Sequence, residues 1–84
     1  MIQYKIVLSK QAQKDLNAIP DPFKSNIQSK LLSLENGLSN EVKRLKKFEY
    51  DYRLRVNDYR VLFNIEEENL IIIYRIKHRK EAYQ

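Results

Sequence analysis

The chain reads DYRLRVNDYRVLFNIEEENLIIIYRIKHRKEAY from residue 51 to residue 83, and the alternation within this segment is that of half-buried β-strands. Apolar residues alternate with arginines on both sides of Asn57-Asp58, a pair that tolerates the positive φ of a two-residue hairpin turn. We therefore predict an antiparallel hairpin with one apolar face and one cationic face, in which Arg55 lies opposite Arg60. The other expected pairs are Val56 with Tyr59, Leu54 with Val61 and Tyr52 with Phe63.

A second hairpin is predicted at Glu67-Glu68, where an apolar run can fold back on the preceding strand. Its register pairs Ile65 with Leu70, Phe63 with Ile72, Val61 with Tyr74 and Arg60 with Arg75. Three arginines would then form a row across the sheet, although like charges placed opposite each other destabilise a sheet by up to about 1 kcal/mol. A polyanion bound between them accounts for this row, because guanidinium groups match phosphate oxygens bidentately. The alternative is a solvated face neutralised by Glu49, Asp51 or Asp58.

The first half of the chain predicts a strand followed by two helices. Residues Ile2 to Leu8 alternate as a strand, Ser9 is placed to cap a helix over Lys10 to Ile19, and Asp21-Pro22 opens a second helix. Gly37 provides the exit from that helix. We expect one domain over residues 1–84 with an α+β fold: an N-terminal strand, a two-helix hairpin, and then a three-stranded antiparallel meander with the helices on one face. The apolar stripe of the second helix comprises Phe23, Ile27, Leu31 and Leu34.

The amino-acid composition limits the classes of function that this chain can have. The formal net charge is +5, with 16 Lys and Arg against 11 Asp and Glu, which indicates a basic surface suited to nucleic acid or to an acidic protein. The chain has no cysteine and one histidine, so neither a disulfide framework nor a Cys- or His-built metal site is expected, and no cofactor is predicted. The longest apolar run, Leu70 to Tyr74, is too short to span a bilayer, and no signal peptide is recognised. We expect a cytoplasmic protein with no membrane partner.

Cleavage of RNA without a metal requires a base for the 2′-hydroxyl, cations for the phosphate and an acid for the leaving oxygen. Candidates for these proton transfers lie in the basic second half of the chain. Two of them, Lys46 and Lys47, could equally well serve only to screen the charge of the phosphates. Tyr83 could stack on a nucleobase or fold back onto the sheet. The candidates for acid and base are Lys46, Lys47, Glu49, His78 and Tyr83.

The segments KRLKK, YRLRVNDYRVLFNI and LIIIYRIKHRKEAY resemble the blocks that define the RelE branch of the RelE/ParE toxin superfamily, and the resemblance covers essentially the whole chain. It implies a toxin of a type II toxin–antitoxin pair that enters the ribosomal A site and cleaves the mRNA by 2′-hydroxyl attack without metal. It also implies an acidic, RelB-like antitoxin that wraps the toxin and blocks it. By motif, Arg60 corresponds to the arginine that stabilises the transition-state phosphate, Arg79 to the tail arginine, and Tyr83 to the tail tyrosine that stacks on an mRNA base.

The same resemblance leaves the proton-transfer groups open. Lys46 and Lys47 match the family's lysines in character, and His78 corresponds to a tail histidine found in some members. Two other functions are compatible with the sequence: a ParE-like inhibitor of DNA gyrase, and a basic adaptor that only binds RNA or an acidic antitoxin. Further RNA-binding candidates are Arg44, Arg53, Arg55, Arg75, Lys77 and Lys80.

Overall fold

A computed structural model describes residues 3–38, 41–46 and 49–81. Within these residues, five strands form one sheet in the order β1-β5-β4-β3-β2, with two α-helices. Strand β1 is parallel to β5, and the other neighbouring strands are antiparallel. The elements are β1 (Lys5–Leu8), α1 (Lys10–Asn17), α2 (Phe23–Leu34), β2 (Val42–Arg44), β3 (Tyr52–Val56), β4 (Tyr59–Glu66) and β5 (Leu70–His78), with a 3₁₀ turn at Glu67–Asn69.

The helix boundaries follow from local side-chain chemistry. The hydroxyl of Ser9 accepts the Ala12 N–H at 3.0 Å and caps α1, as predicted. The carboxylate of Asp21 accepts the Ser25 N–H at 3.1 Å in the first turn of α2. Gly37 follows that helix with a φ of +135°, a conformation that favours glycine. Helix α1 ends two residues earlier than expected, and β1 is shorter than the predicted strand, whose Ile2 lies outside the described residues.

The predicted α+β fold is confirmed, with both helices packed on one face of the sheet. Side chains from the two helices and from β3, β4 and β5 form a single core on that face. Full burial of an aliphatic or aromatic side chain stabilises a fold by roughly 1.5 to 3 kcal/mol. Among the described helices, none is long and apolar enough to cross a membrane. The largest fully buried side chains of the core are Phe63, Ile27, Leu34, Leu54, Ile71, Ile73 and Val61.

The register of the first hairpin is confirmed, and that of the second is not. Arg55 lies opposite Arg60, and Asn57 has the φ of +54° that its turn requires. The β4–β5 turn instead contains three residues, so that Glu66 lies opposite Leu70.

A β-bulge then shifts the β4–β5 pairing once more, between Leu62 and Phe63. Phe63 lies opposite Ile73 and Leu62 opposite Arg75, which leaves Tyr74 as the extra residue of β5. Together the longer turn and the bulge place Lys77 opposite Arg60. The predicted pairing of Arg60 with Arg75 was therefore wrong.

Strand β2 was not predicted from the sequence. This three-residue strand lies at the sheet edge against β3 and places Lys43 opposite Arg53. Three residues are too few to show a recognisable alternation. The strand nevertheless extends the face of the sheet on which Arg53 and Arg55 lie.

Candidate functional site

Three basic side chains form a row across the middle of the sheet, on the face opposite the helices. Arg55 of β3, Arg60 of β4 and Lys77 of β5 are paired in register, and we call them the cationic row. Their position follows from strand alternation, because the neighbouring residues Val61 and Ile76 lie in the helix-side core. Within the described residues, no ion pair engages any member of the row.

Arg60 is the unusual member of the row. It is only 7% exposed, and among the described residues it is the only charged or polar residue that is buried. Its Nη1 donates a long hydrogen bond, at 3.4 Å, to the Tyr59 carbonyl oxygen, and its Nε has no partner among the residues that the structure describes. Burying a charged group without a counter-ion and with an unsatisfied N–H is costly. Arg60 therefore offers a guanidinium that is shielded from solvent and whose charge a bound anion would compensate.

The same face of the sheet also carries a buried leucine and a pair of stacked tyrosines. Leu62 is 1% exposed, yet it does not belong to the helix-side core. Residues 49–51 lie across this face: Tyr50 stacks on Tyr74 with 5.4 Å between ring centroids, and the Asp51 N–H donates to Asn64 Oδ1 at 2.7 Å. The pKa of Tyr50 is raised by burial and then by the charge of Glu49.

Arg75 is held away from the cationic row. Its Nε donates to Asp15 Oδ2 of α1 at 2.9 Å, and its Nη2 lies 3.4 Å from Asp15 Oδ1. The hydrogen bond with Asp15 raises the pKa of Arg75. Because this ion pair compensates its charge, Arg75 is not available to an anion in the way that Arg60 is.

His78 lies on the opposite side of the sheet from the row. It pairs across the strands with Tyr59, and the two rings meet edge to face with 5.4 Å between centroids. Tyr59 in turn packs against Phe23 of α2. The Nδ1 of His78 accepts the Lys80 N–H at 3.3 Å. The structure therefore does not bring this imidazole together with Arg60.

Arg79 lies just beyond β5, beside the turn of the first hairpin. Its N–H donates to the Asp58 carbonyl oxygen at 2.6 Å, and its Nη1 lies 3.8 Å from the Asp58 carboxylate. Both side chains are more than half exposed, so the ion pair is weak. Arg79 can exchange this partner for a phosphate at little cost.

The remaining predicted site residues lie at the periphery or outside the described residues. Arg53 shares the face of the cationic row, whereas Arg44 lies over the Tyr52 ring, with 5.8 Å between its Cζ and the centroid. Lys46 and Lys80 are exposed. Lys47 and Tyr83 lie outside the described residues. No group of three or more His, Asp or Glu side chains in residues 3–38, 41–46 and 49–81 could hold a metal ion.

Comparison with known proteins identifies the family. A family model described as ParE toxin of type II toxin-antitoxin system, parDE, matches residues 6–83. Toxin RelE3 of Methanocaldococcus jannaschii is 29% identical, with 94% of each chain covered.

Solved structures show the same relationship. The toxin chain of a RelB-RelE antitoxin-toxin complex from Methanococcus jannaschii superposes with a TM-score of 0.78 at 26% identity, covering 93% of this chain and 95% of that chain. An archaeal RelE-RelB complex from Pyrococcus horikoshii OT3 gives a TM-score of 0.78 at 26% identity, covering 96% and 100%. The chain therefore belongs to the ParE toxin family of type II toxin–antitoxin systems, and within the RelE/ParE superfamily it is a toxin of the RelE branch.

Proposed function

We propose that this toxin is a ribosome-dependent mRNA endonuclease that cleaves A-site mRNA by attack of a 2′-hydroxyl on the adjacent phosphate, without metal. The observation that carries the proposal is Arg60, which is buried on the face opposite the helices and whose Nε has no hydrogen-bond partner in the described part of the chain. A buried guanidinium without a counter-ion is costly, and a phosphate bound at it would compensate its charge with charge-assisted hydrogen bonds.

The geometry of the cationic row suits the charge changes of this reaction. As the 2′-oxygen attacks, negative charge accumulates on the non-bridging phosphate oxygens. Arg60 is held in a site of low solvent exposure, where its attraction for that charge is stronger than in water. Arg55 and Lys77 lie on either side of it and add attraction along the backbone of the RNA.

Proton transfer in this proposal depends on residues on the row's side of the sheet. His78 is separated from Arg60 by the sheet itself, so it is a weaker candidate than the sequence indicated. Lys46 and Glu49 come shortly before Tyr50 and Asp51 in the chain, and those two residues contact Tyr74 and Asn64 on the same face of the sheet as the row. The roles of Lys47 and Tyr83 stay predictions from the family resemblance, because both lie outside the described residues.

The proposed partner is a RelB-like antitoxin. Relatives from Methanococcus jannaschii and Pyrococcus horikoshii form RelB-RelE complexes. An acidic antitoxin segment bound over the cationic row would neutralise the positive charge of the row and would keep RNA from reaching Arg60. Ribosomes translate in the cytoplasm, so this proposal also places the toxin there.

A second candidate function is inhibition of DNA gyrase, as expected of the ParE branch. The matching family model takes its name from ParE. The distance of His78 from the row also favours it, since a toxin that acts without cleaving RNA needs no acid and base beside Arg60.

The test is to induce the toxin and map mRNA ends on ribosomes, alongside an assay for DNA damage. Codon-phased breaks in ribosome-bound mRNA support the endonuclease, and intact mRNA with DNA damage supports the gyrase inhibitor. Arg60→Ala should abolish the breaks. Lys14→Ala, an exposed lysine of α1, is the matched control and should cleave like the parent. Continued growth with intact mRNA and DNA would leave only the adaptor function.

A further inference from the structure

The bulge in β5 determines which cation faces Arg60. Were the pairing of Phe63 with Ile73 continued without the bulge, Ile76 would lie opposite Arg60 and Arg75 opposite the buried Val61. A shift of one residue reverses the two faces of a strand. The extra residue, Tyr74, keeps Ile76 in the core and places Lys77 in the cationic row.

The backbone of the bulge is held by α1 and its cap. Strand β1 pairs with β5 only as far as Ile73, which leaves the next residues of that edge without a strand partner. Ser9 takes over at this point: its hydroxyl donates to the Tyr74 carbonyl oxygen at 3.0 Å. Further along, Asp15 Oδ2 accepts the Ile76 N–H at 2.9 Å. One helix therefore satisfies the polar groups on both sides of the bulge.

Asp15 has a second effect through Arg75. Arg75 lies opposite Leu62, on the face of the cationic row, but its guanidinium is bound by the Asp15 carboxylate at the sheet edge. Freed from Asp15, Arg75 could compete with Arg60 for an anion. The side chain of Asp15 is only 11% exposed, and Gln11 donates to its Oδ1 at 3.0 Å, which fixes its orientation.

We propose that Asp15 is a positioning residue of the toxin: by holding the β5 bulge through Ile76 and Arg75, it keeps Lys77 beside Arg60 and Arg75 away from it. This inference rests on the proposed cleavage activity only for its functional consequence. The placement itself is a property of the fold. Two measurements therefore separate the placement from the activity.

The first measurement is NMR of the free toxin. The parent should show cross-strand backbone contacts between Arg60 and Lys77 and slow exchange of the Ile76 amide. In Asp15→Ala the contacts should be lost or shifted, and the Ile76 amide should exchange at least about tenfold faster because its acceptor is gone. Gln13→Ala, which removes an exposed α1 side chain that donates to Asn17 and not to Asp15, is the control and should keep the parental contacts. A parental Arg60–Lys77 contact in Asp15→Ala overturns the proposal, whatever the toxin acts on.

The second measurement is a double-mutant cycle in single-turnover cleavage of ribosome-bound mRNA. Asp15→Ala should slow cleavage about tenfold in the parent and less than about threefold in a Lys77→Met background, where the contribution of Lys77 is already lost and only competition by Arg75 remains. A purely structural role would slow both backgrounds equally, and that result overturns the proposal. Asp15→Asn keeps an acceptor for the Ile76 N–H and should recover most of the loss. If the parent itself does not cleave, the proposed function fails, and the NMR contacts alone decide the placement.

Discussion

Replacement of Arg60 by methionine should make the toxin more stable and inactive at the same time. The side chain is 7% exposed, and methionine can fill the volume of its aliphatic part. The change removes a buried guanidinium whose Nε has no partner within residues 3–38, 41–46 and 49–81, and leaving such a group unsatisfied costs roughly 1 to 3 kcal/mol. The hydrogen bond that is lost, at 3.4 Å to the Tyr59 carbonyl oxygen, is at the long limit and contributes little.

Relief of like-charge repulsion adds to the expected gain. Arg60 lies directly opposite both Arg55 and Lys77, and each such pair is destabilising by up to about 1 kcal/mol. We therefore expect Arg60→Met to raise the free energy of unfolding by about 1 to 3 kcal/mol. The same substitution should slow mRNA cleavage by about two to three orders of magnitude, equivalent to about 3 to 4 kcal/mol of transition-state stabilisation.

The assay is urea unfolding of the purified variants, followed by circular dichroism, together with single-turnover cleavage on ribosomes. Arg55→Met is the matched control: its side chain is exposed and loses only its one like-charge pair with Arg60, so the free energy of unfolding should rise by no more than about 1 kcal/mol. A loss of stability above about 1 kcal/mol in Arg60→Met would show that the guanidinium supports the fold and would refute the reasoning. Normal cleavage by a folded Arg60→Met protein would remove Arg60 from the mechanism.

Four further predictions concern Tyr83, His78, Asp15 and the binding of the antitoxin. If Tyr83 stacks on a base, Tyr83→Phe should keep most of the mRNA cleavage measured on ribosomes and Tyr83→Ala should lose it. Equal losses in the two variants would show that the hydroxyl takes part in proton transfer. His78→Gln should cleave within about fivefold of the parent on ribosomes, because a group across the sheet from Arg60 cannot supply the factor of about 10² or more of a general acid or base. Although burial raises the pKa of Asp15, hydrogen bonds from Arg75, Ile76 and Gln11 together hold that pKa below its ordinary value. The stability difference between the parent and Asp15→Asn, measured by unfolding at a series of pH values, should therefore be largest above about pH 4 and should shrink as the pH falls through the pKa of Asp15 in the folded state. Affinity for the cognate antitoxin should fall with salt and with replacement of Arg55, Arg60 and Arg79, measured by calorimetry; no change would place the contact elsewhere.

Features set by neighbouring residues could be predicted from the sequence. The Ser9 cap, the Asn57-Asp58 turn and the register of Arg55 against Arg60 all follow from interactions within a few residues of the chain. Apart from β2, the order of strands and helices followed from hydrophobic periodicity in the same way. The family resemblance added the expected roles of Arg60, Arg79 and Tyr83, which periodicity alone does not supply.

The second hairpin shows where local reasoning stops. Its turn contains Glu68 and Asn69 at φ values of +60° and +59°, and of the two only the asparagine is a residue type that favours this conformation. An asparagine one position beyond the predicted two-residue turn was the available signal for a longer loop. The bulge at Tyr74 had no local signal, because its hydrogen-bond partners, Ser9 and Asp15, are more than fifty residues away in the sequence.

Depth of burial is the property that separates Arg60 from the other cations, and alternation does not encode it. A period of two assigns Arg53, Arg55, Arg60 and Lys77 to one face, but their exposure depends on what lies over that face. At the other end of the same face Tyr50 stacks on Tyr74 and the Asp51 N–H donates to Asn64, and both contacts depend on tertiary structure. The same sheet places His78 among the aromatic side chains on the helix side. A row of like charges is thus sorted by the fold into one buried guanidinium with exposed or half-buried neighbours, and this difference in solvent exposure marks Arg60 as the member best suited to bind a phosphate in its transition state.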